Sequence, residues 1–134
     1  STLAASRMAQ ARTGSYASAT NATSHWVWGA RAKARHRTDV AHTAVGYGIH
    51  HASSLLWACV FERWLATRRP PAPIVAATAI TTLAYMVDYH VVPARLTPGF
   101  ERHLPRRGVY AAYAAFASGL ALAALVRRAT AASR

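Results

Sequence analysis

The fold is decided by an uncharged apolar stretch at residues 109–126, which reads VYAAYAAFASGLALAALV. A helix needs about 20 apolar residues to cross the roughly 30 Å hydrocarbon core of a bilayer, and about 17–25 are tolerated. The stretch shows no two-residue alternation of apolar and polar positions, which argues against a membrane β-barrel. Because backbone polar groups in lipid must be paired within the chain, the stretch predicts a transmembrane helix.

Two more apolar stretches precede this one, at residues 40–65 and 74–92. The first contains three histidines and no formal charge before Glu62, and only Asp88 and His90 interrupt the second. Both are long enough to cross a bilayer as helices. They predict two further spans.

Prolines mark the ends of the second stretch. The segment RRPPAP at residues 68–73 precedes it and Pro93 follows it. Proline suits the first turn of a helix but breaks a helix interior, because its ring fixes φ and its nitrogen carries no hydrogen. The sequence therefore predicts an all-α transmembrane bundle of three spans over residues 40–128, with a short tail at residues 129–134.

The N-terminal segment, residues 1–39, has a different composition. It is rich in Ala, Ser and Thr, carries scattered basic residues and is too polar to span a membrane. Trp26 and Trp28 predict an interfacial position, since indoles favour the headgroup level of a bilayer. Residues 1–5 look like the end of an earlier helix, which would make a fourth span truncated at the N-terminus.

The charge balance is strongly basic, with 16 Lys and Arg against 4 Asp and Glu and a formal net charge of +12. The cations flank the apolar stretches, so we expect anionic lipid headgroups or other membrane-protein subunits as partners, and no nucleic acid, for which no motif is present. The N-terminal segment and the loop after the second span carry most of the charge, which places that side in the cytoplasm. The residues predicted to face lipid or a partner are Trp26, Trp28, Arg31, Lys33, Arg35, Arg95, Arg102, Arg106 and Arg107.

Polar side chains of the three spans gather near one membrane surface. Antiparallel succession brings the start of the first span, the end of the second and the start of the third together. An ionised side chain in hydrocarbon costs about 2.5–3.5 kcal/mol on insertion scales, so Asp88 should face protein and have a partner. His50 or His51 is the expected partner, with Arg95 as another candidate. Together with Tyr110 these residues predict a hydrogen-bonded clamp between helices.

Three other uses of these side chains remain open from the sequence. His50 or His51 with His90 could ligate a haem or chlorin, since neutral imidazole is a good axial ligand. Asp88 and His90 could contribute to a metal site. Asp88 with a histidine could also form a proton or ion relay.

Three stretches carry a resemblance to a known group of proteins: NATSHWVWG at 21–29, AVGYGIHHASSLLWACVFERW at 44–64 and DYHVVPARLTPGFERHL at 88–104. Their SHWxWG, GYxIHH and DYxxVPxRLTPGFE patterns resemble a family of small uncharacterised bacterial inner-membrane proteins, mainly proteobacterial. The resemblance covers residues 21–126. It implies a multi-pass protein of the bacterial inner membrane and a further N-terminal helix, and it implies no activity.

The absence of any catalytic motif from the sequence predicts a protein that is not an enzyme. The third span also carries a face of small residues, Ala111, Ala114, Ala115, Ser118 and Ala121. Helices in lipid associate through close packing of such residues. The leading hypothesis is therefore a non-catalytic accessory or assembly subunit of a larger inner-membrane complex.

Overall fold

The protein is all-helical in a computed structural model that describes residues 2–133, which confirms the predicted class. Its helices are α1 (Thr2–Thr13), α2 (Ala17–Thr23), α3 (His25–Trp28), α4 (Val45–Leu65), α5 (Pro73–Met86) and α6 (Arg106–Ala132). A π-helical turn at Val40–Ala44 leads into α4, and another at Val87–Val91 extends α5. Short 3₁₀ turns lie at Ala30–Ala34 and Phe100–Arg102.

Proline positions explain both ends of α5. Pro73 is its first residue, and Ala72 before it is extended, with ψ of 141°. At the other end the amide of Val92 donates to the carbonyl of Val87 at 3.0 Å, which closes the π turn. Val92 itself is extended, because the residue before a proline such as Pro93 is disfavoured in the helical region.

Two helical segments are long and apolar enough to cross a membrane, judged by length and composition: Pro73–Val91, with 19 residues, and Arg106–Ala132, with 27. They correspond to the second and third predicted spans. The first predicted span, residues 40–65, is helical throughout, but its histidines and serines leave it short of the same apolar character. The structure thus supports two of the three predicted spans.

The three long helices pack together around Phe61, which is fully buried. Around it lie Ala76, Ala77 and Ile80 of α5 and Leu120 and Ala124 of α6. At this end of the bundle the Arg127 guanidinium forms an ion pair of 2.8 Å with Glu62. Alanine on both helices allows α5 and α6 to approach closely.

The N-terminal segment, which was predicted to be interfacial, is folded in the structure. We name residues 2–39 the cap, because they form a folded unit against α4, α6 and the loop before α6. Ala5, Ala9 and Ala19 pack in a cluster with Phe100, Leu104 and Val109. α1 itself has 12 residues, which is too short to cross a membrane unaided. The cap is therefore a packed structure with a buried interior and not merely an interfacial segment.

Candidate functional site

Asn21 is the centre of the cap. Its side-chain amide is fully buried and donates to the carbonyls of Arg35, at 3.1 Å, and Arg37, at 2.9 Å. Its oxygen accepts a hydrogen bond of 2.7 Å from the hydroxyl of Thr43. One side chain thereby joins α2 to the basic loop at residues 35–37 and to the π-helical turn that leads into α4.

A second set of polar contacts joins the two basic loops. Ser18, also fully buried, bonds Nδ1 of His36 at 2.9 Å. Nε2 of His103 lies 2.8 Å from the carbonyl of Lys33, and the rings of His36 and His103 meet edge to face at 5.3 Å between centroids. The segment before α4 and the segment before α6 therefore lie side by side.

Glycines allow the cap to touch its neighbours through backbone. A Cβ added to Gly46 of α4 would lie 1.9 Å from the carbonyl oxygen of Thr20, so only glycine fits there. Gly99 has φ of +86°, and a Cβ there would lie 2.6 Å from the carbonyl oxygen of Ala22. Both positions show where α2 rests on α4 and on the loop before α6.

The two tryptophans predicted to be interfacial have different surroundings. The indole of Trp26 is half-buried and donates at 2.9 Å to the carbonyl of Thr97, a residue 71 positions later. The indole of Trp28 is 49% exposed and donates at 3.2 Å to the carbonyl of Ala41. Trp28 thus remains a candidate for lipid contact, whereas Trp26 is part of the site beneath the cap.

Beneath the cap lies a cavity of about 60 Å³, which we name the Asp88 pocket. Aromatic side chains form much of its wall: Trp26, Trp57, Phe100 and Phe116. Its polar lining comes from Thr23, His50, Ser53, Ser54, Asp88 and Tyr113. The predicted convergence of polar groups from all three spans is therefore present for His50 of α4, Asp88 after α5 and Tyr113 of α6.

Asp88 has a hydrogen-bond partner within the protein, as predicted, but the partner is not a predicted one. The hydroxyl of Tyr113 donates to its Oδ2 at 2.6 Å. Tyr110, expected in the clamp, lies one helical turn earlier, is 54% exposed and packs its ring 5.7 Å from that of Tyr85. The rotation of α6 explains the difference, because its buried face carries Val109, Ala112 and Leu120 and turns Tyr110 outward.

The two adjacent histidines of α4 separate as helical geometry requires. His50 lines the Asp88 pocket, whereas His51 is exposed, with Nδ1 lying 3.1 Å from the carbonyl of Tyr47. Neighbouring residues on a helix point about 100° apart, so only one of the pair can face the bundle. His51 therefore lies outside the predicted clamp.

The geometry does not favour the predicted haem or chlorin site. His90 is exposed and stacks edge to face on Tyr85, at 6.0 Å between ring centroids, and it is not among the residues that line the Asp88 pocket with His50. Ligand pockets for larger molecules occupy about 300–1,000 Å³, which exceeds the volume of the Asp88 pocket.

The predicted metal site lacks ligands. No three His, Cys, Asp or Glu side chains within residues 2–133 are placed to hold an ion together, so Asp88 and His90 gain no third ligand. The proton or ion relay proposed for Asp88 and a histidine stays a prediction.

The predicted basic surface is a surface of the cap and its adjoining loop. Six of its arginines are exposed: Arg31, Arg35, Arg95, Arg102, Arg106 and Arg107. Across the described residues, carboxylates form ion pairs only between Asp39 and His42, at 2.9 Å, and between Glu62 and Arg127. These arginines and the partly buried Lys33 thus carry charge that no carboxylate of residues 2–133 neutralises.

Burial alters the titration of two histidines in this region. Desolvation lowers the pKa of His25, which is almost fully buried and whose Nδ1 lies 2.7 Å from the carbonyl of Ala22. Desolvation likewise lowers the pKa of His103. In contrast, the backbone amide of His42 donates to Asp39 and holds the pKa of that carboxyl below its ordinary value. Burial thus disfavours the protonated form of one histidine in the cap and of one in the loop that packs against it.

Comparison with known proteins identifies no relative of this chain. No protein family, curated protein or solved structure matches this chain significantly. The site must consequently be interpreted from its own residues.

Sequence reasoning missed the importance of Asn21, Gly46 and Tyr113. Asn21 is the only asparagine of the chain and lies among Ala, Ser and Thr, where small neighbours leave room for close backbone contacts. Gly46 stands at the start of a helix that otherwise has few breaks, which is a weak signal of close approach. Nothing in the sequence distinguishes Tyr113 from Tyr110 as the partner of Asp88.

Proposed function

We propose that this chain is a small multi-pass protein of the bacterial inner membrane that serves as a non-catalytic accessory or assembly subunit of a larger complex. One observation carries the proposal. Four small residues at four-residue spacing on α6 are exposed: Ala111, Ala115, Gly119 and Ala123. A Cβ added to Gly119 would meet nothing within 4 Å. Such a stripe lets the backbone of another helix approach closely, and no described part of this chain covers it.

The surface of the apolar helices supports a membrane setting. In the most apolar windows of the two candidate spans, 28% and 22% of the positions are buried within the protein. The core helix of a water-soluble protein would be mostly buried. Large apolar side chains instead point outward, among them Ile74 at 62% exposure and Leu122 at 63%. Lipid is the environment that suits them.

The same reasoning supports α4 as a third span. Its polar side chains His50, Ser53 and Ser54 face the Asp88 pocket. Its outward positions include Leu55 at 64% and Leu56 at 62% exposure. Three of the polar residues that lower its mean hydropathy are therefore turned toward protein, whereas His51 is exposed beside these apolar side chains.

The test is the size of the assembly that contains the protein. We expect the full chain, extracted at native abundance with a mild detergent, to migrate well above monomer mass together with another protein. Gly119→Leu should return it to monomer mass, because a bulky side chain blocks close helix approach. Ala114→Leu is the matched control, since Ala114 is exposed but lies about 140° from Gly119 around the helix. A lone monomer or a simple homodimer for the wild type would contradict the proposal.

A further inference from the structure

We propose that the Asp88 pocket binds a small organic cation, with an ammonium or quaternary ammonium group held between aromatic rings and the carboxylate of Asp88. The inference concerns a binding site and does not depend on the accessory function proposed above. The observations that carry it are the chemistry of the wall, the unshared oxygen of Asp88 and the volume of the pocket.

The wall of the pocket suits a cation. Trp26, Trp57, Phe100 and Phe116 all line it. The faces of aromatic rings carry partial negative charge and attract cations within about 6 Å, and tryptophan does so best. The bond from Trp26 to the carbonyl of Thr97 holds one of these indoles in place. The arrangement resembles the aromatic cages that recognise quaternary ammonium groups.

Asp88 supplies the counter-charge. Tyr113 donates to Oδ2, and Oδ1 forms no hydrogen bond with any residue in the range 2–133. No Lys or Arg is among the described residues that line the pocket, although the chain carries 16 of them. A carboxylate in a largely apolar site is stabilised by an opposite charge. Since no described cation reaches it, a cationic ligand is the complement that the pocket fits.

The volume limits the ligand to a small group. A cavity of about 60 Å³ has room for roughly two water molecules, at about 30 Å³ each in the liquid. A trimethylammonium or ethanolammonium group is of this size, whereas a macrocycle is not. The same chemistry occurs in free choline and in the headgroups of zwitterionic phospholipids. The exposed Arg95 and Arg102 flank the Pro98–Phe100 wall in sequence and would suit the phosphate of such a headgroup.

The experiment is a fluorescence titration of the full chain in detergent, since Trp26 and Trp57 report on the pocket. Choline chloride is compared at constant ionic strength with 3,3-dimethyl-1-butanol, a neutral molecule of nearly the same shape. We expect a saturable change with choline and none with the neutral compound. Asp88→Asn should weaken binding by at least about tenfold, which corresponds to about 1.4 kcal/mol. Trp57→Leu should also weaken it, whereas Trp64→Leu, at a residue that does not line the pocket, should not.

Either of two outcomes of the detergent titration would overturn the proposal. One is equal binding of choline and its neutral counterpart, and the other is unchanged affinity in both Asp88→Asn and Trp57→Leu, each checked for helicity by circular dichroism. The same titration in lipid nanodiscs then identifies the source of the cation. If phosphatidylcholine nanodiscs abolish choline binding and phosphatidylglycerol nanodiscs restore it, the natural ligand is a headgroup. If choline binds in both, the natural ligand is a free cation. Absence of binding in detergent and in both nanodiscs would also refute the site.

Discussion

Asn21 joins three separate pieces of backbone through one buried amide, and its removal should be correspondingly costly. Asn21→Ala leaves the carbonyls of Arg35 and Arg37 and the hydroxyl of Thr43 without their partner. An unpaired buried polar group costs about 1–3 kcal/mol, so we expect the free energy of unfolding of the cap to fall by at least that amount. Thermal unfolding in detergent, followed by tryptophan fluorescence, measures the change.

Thr43→Val serves as the control for Asn21→Ala, because it keeps the two bonds that Asn21 donates to the carbonyls of Arg35 and Arg37. It removes only the bond from Thr43 to Asn21 and the one that the Asp39 amide donates to Thr43. It should destabilise the cap less than Asn21→Ala does. Equal losses from the two substitutions would show that the amide of Asn21 is not the centre of the cap.

The buried histidines predict a cap that weakens in mild acid. Desolvation lowers the pKa of His25 and of His103 from the ordinary value of 6.5. Below about pH 6.5 the unfolded chain therefore binds protons that the folded cap does not, and the free energy of unfolding falls as the pH decreases toward the folded-state pKa. Above about pH 6.5 both states are neutral and this contribution is fully present. Charged neighbours also influence these two pKa values. They are Lys33 and Glu101 for His25, and His36, Arg102 and Glu101 for His103.

The measurement is the unfolding midpoint of the cap at about pH 7.5 and about pH 5.5. His103→Gln should reduce the difference between the two midpoints, since glutamine can still donate toward the carbonyl of Lys33 but does not titrate. His51→Gln, at an exposed position on α4, should leave the difference unchanged. If the wild type, His103→Gln and His51→Gln all show the same pH dependence, the loss of stability in acid does not come from His103.

At the scale of elements, the contact between α2 and α4 depends on one glycine. Gly46→Ala would bring a methyl group to 1.9 Å from the backbone oxygen of Thr20, and a backbone atom cannot turn aside as a side chain can. Overpacking of this kind costs about 1–3 kcal/mol, so the variant should unfold at a lower temperature. Gly48→Ala is a close control two residues away, because nothing lies within 4 Å of its added Cβ. That variant should be neutral or more stable by up to about 1 kcal/mol. Similar effects of the two substitutions would mean that α2 does not rest on α4.

The elements also show how far the sequence determines the fold. The apolar blocks and the prolines around α5 predicted all three long helices, with the largest error at the end of α6, which continues to Ala132 instead of ending at residue 126. The cap escaped prediction because its interior consists of Ala, Ser, Thr and one Asn, a composition that also describes a solvated loop. Its burial depends on close backbone contact, as at Gly46, which no periodicity reveals. The choice of Tyr113 over Tyr110 depends on the rotation of α6, which packing against α1 and α5 decides.

At the scale of the whole molecule, charge and contacts predict the membrane orientation. The bond from His103 to the carbonyl of Lys33 places both basic loops at one end, and the Glu62–Arg127 ion pair marks the other. With three spans, the positive-inside rule puts the cap in the cytoplasm.

This orientation can be tested by cysteine labelling. In a Cys59→Ser background, cysteines placed at Thr67 and Ser133 should react with an impermeant maleimide on intact spheroplasts. A cysteine at Thr38 should react only after the membrane is opened, and labelling of Thr38 together with Thr67 on intact cells would contradict the topology.

The bond between Trp26 and Thr97 has a consequence for biosynthesis. At about 5–20 residues per second, the 71 residues that separate the two partners take roughly 4–14 s for a ribosome to translate. During that interval the indole of Trp26 lacks the carbonyl of Thr97 as its acceptor, and the N-terminal segment lacks the later residues against which it packs. The N-terminal segment therefore spends seconds without this contact, and during that time it is more accessible to proteases and chaperones than in the finished fold.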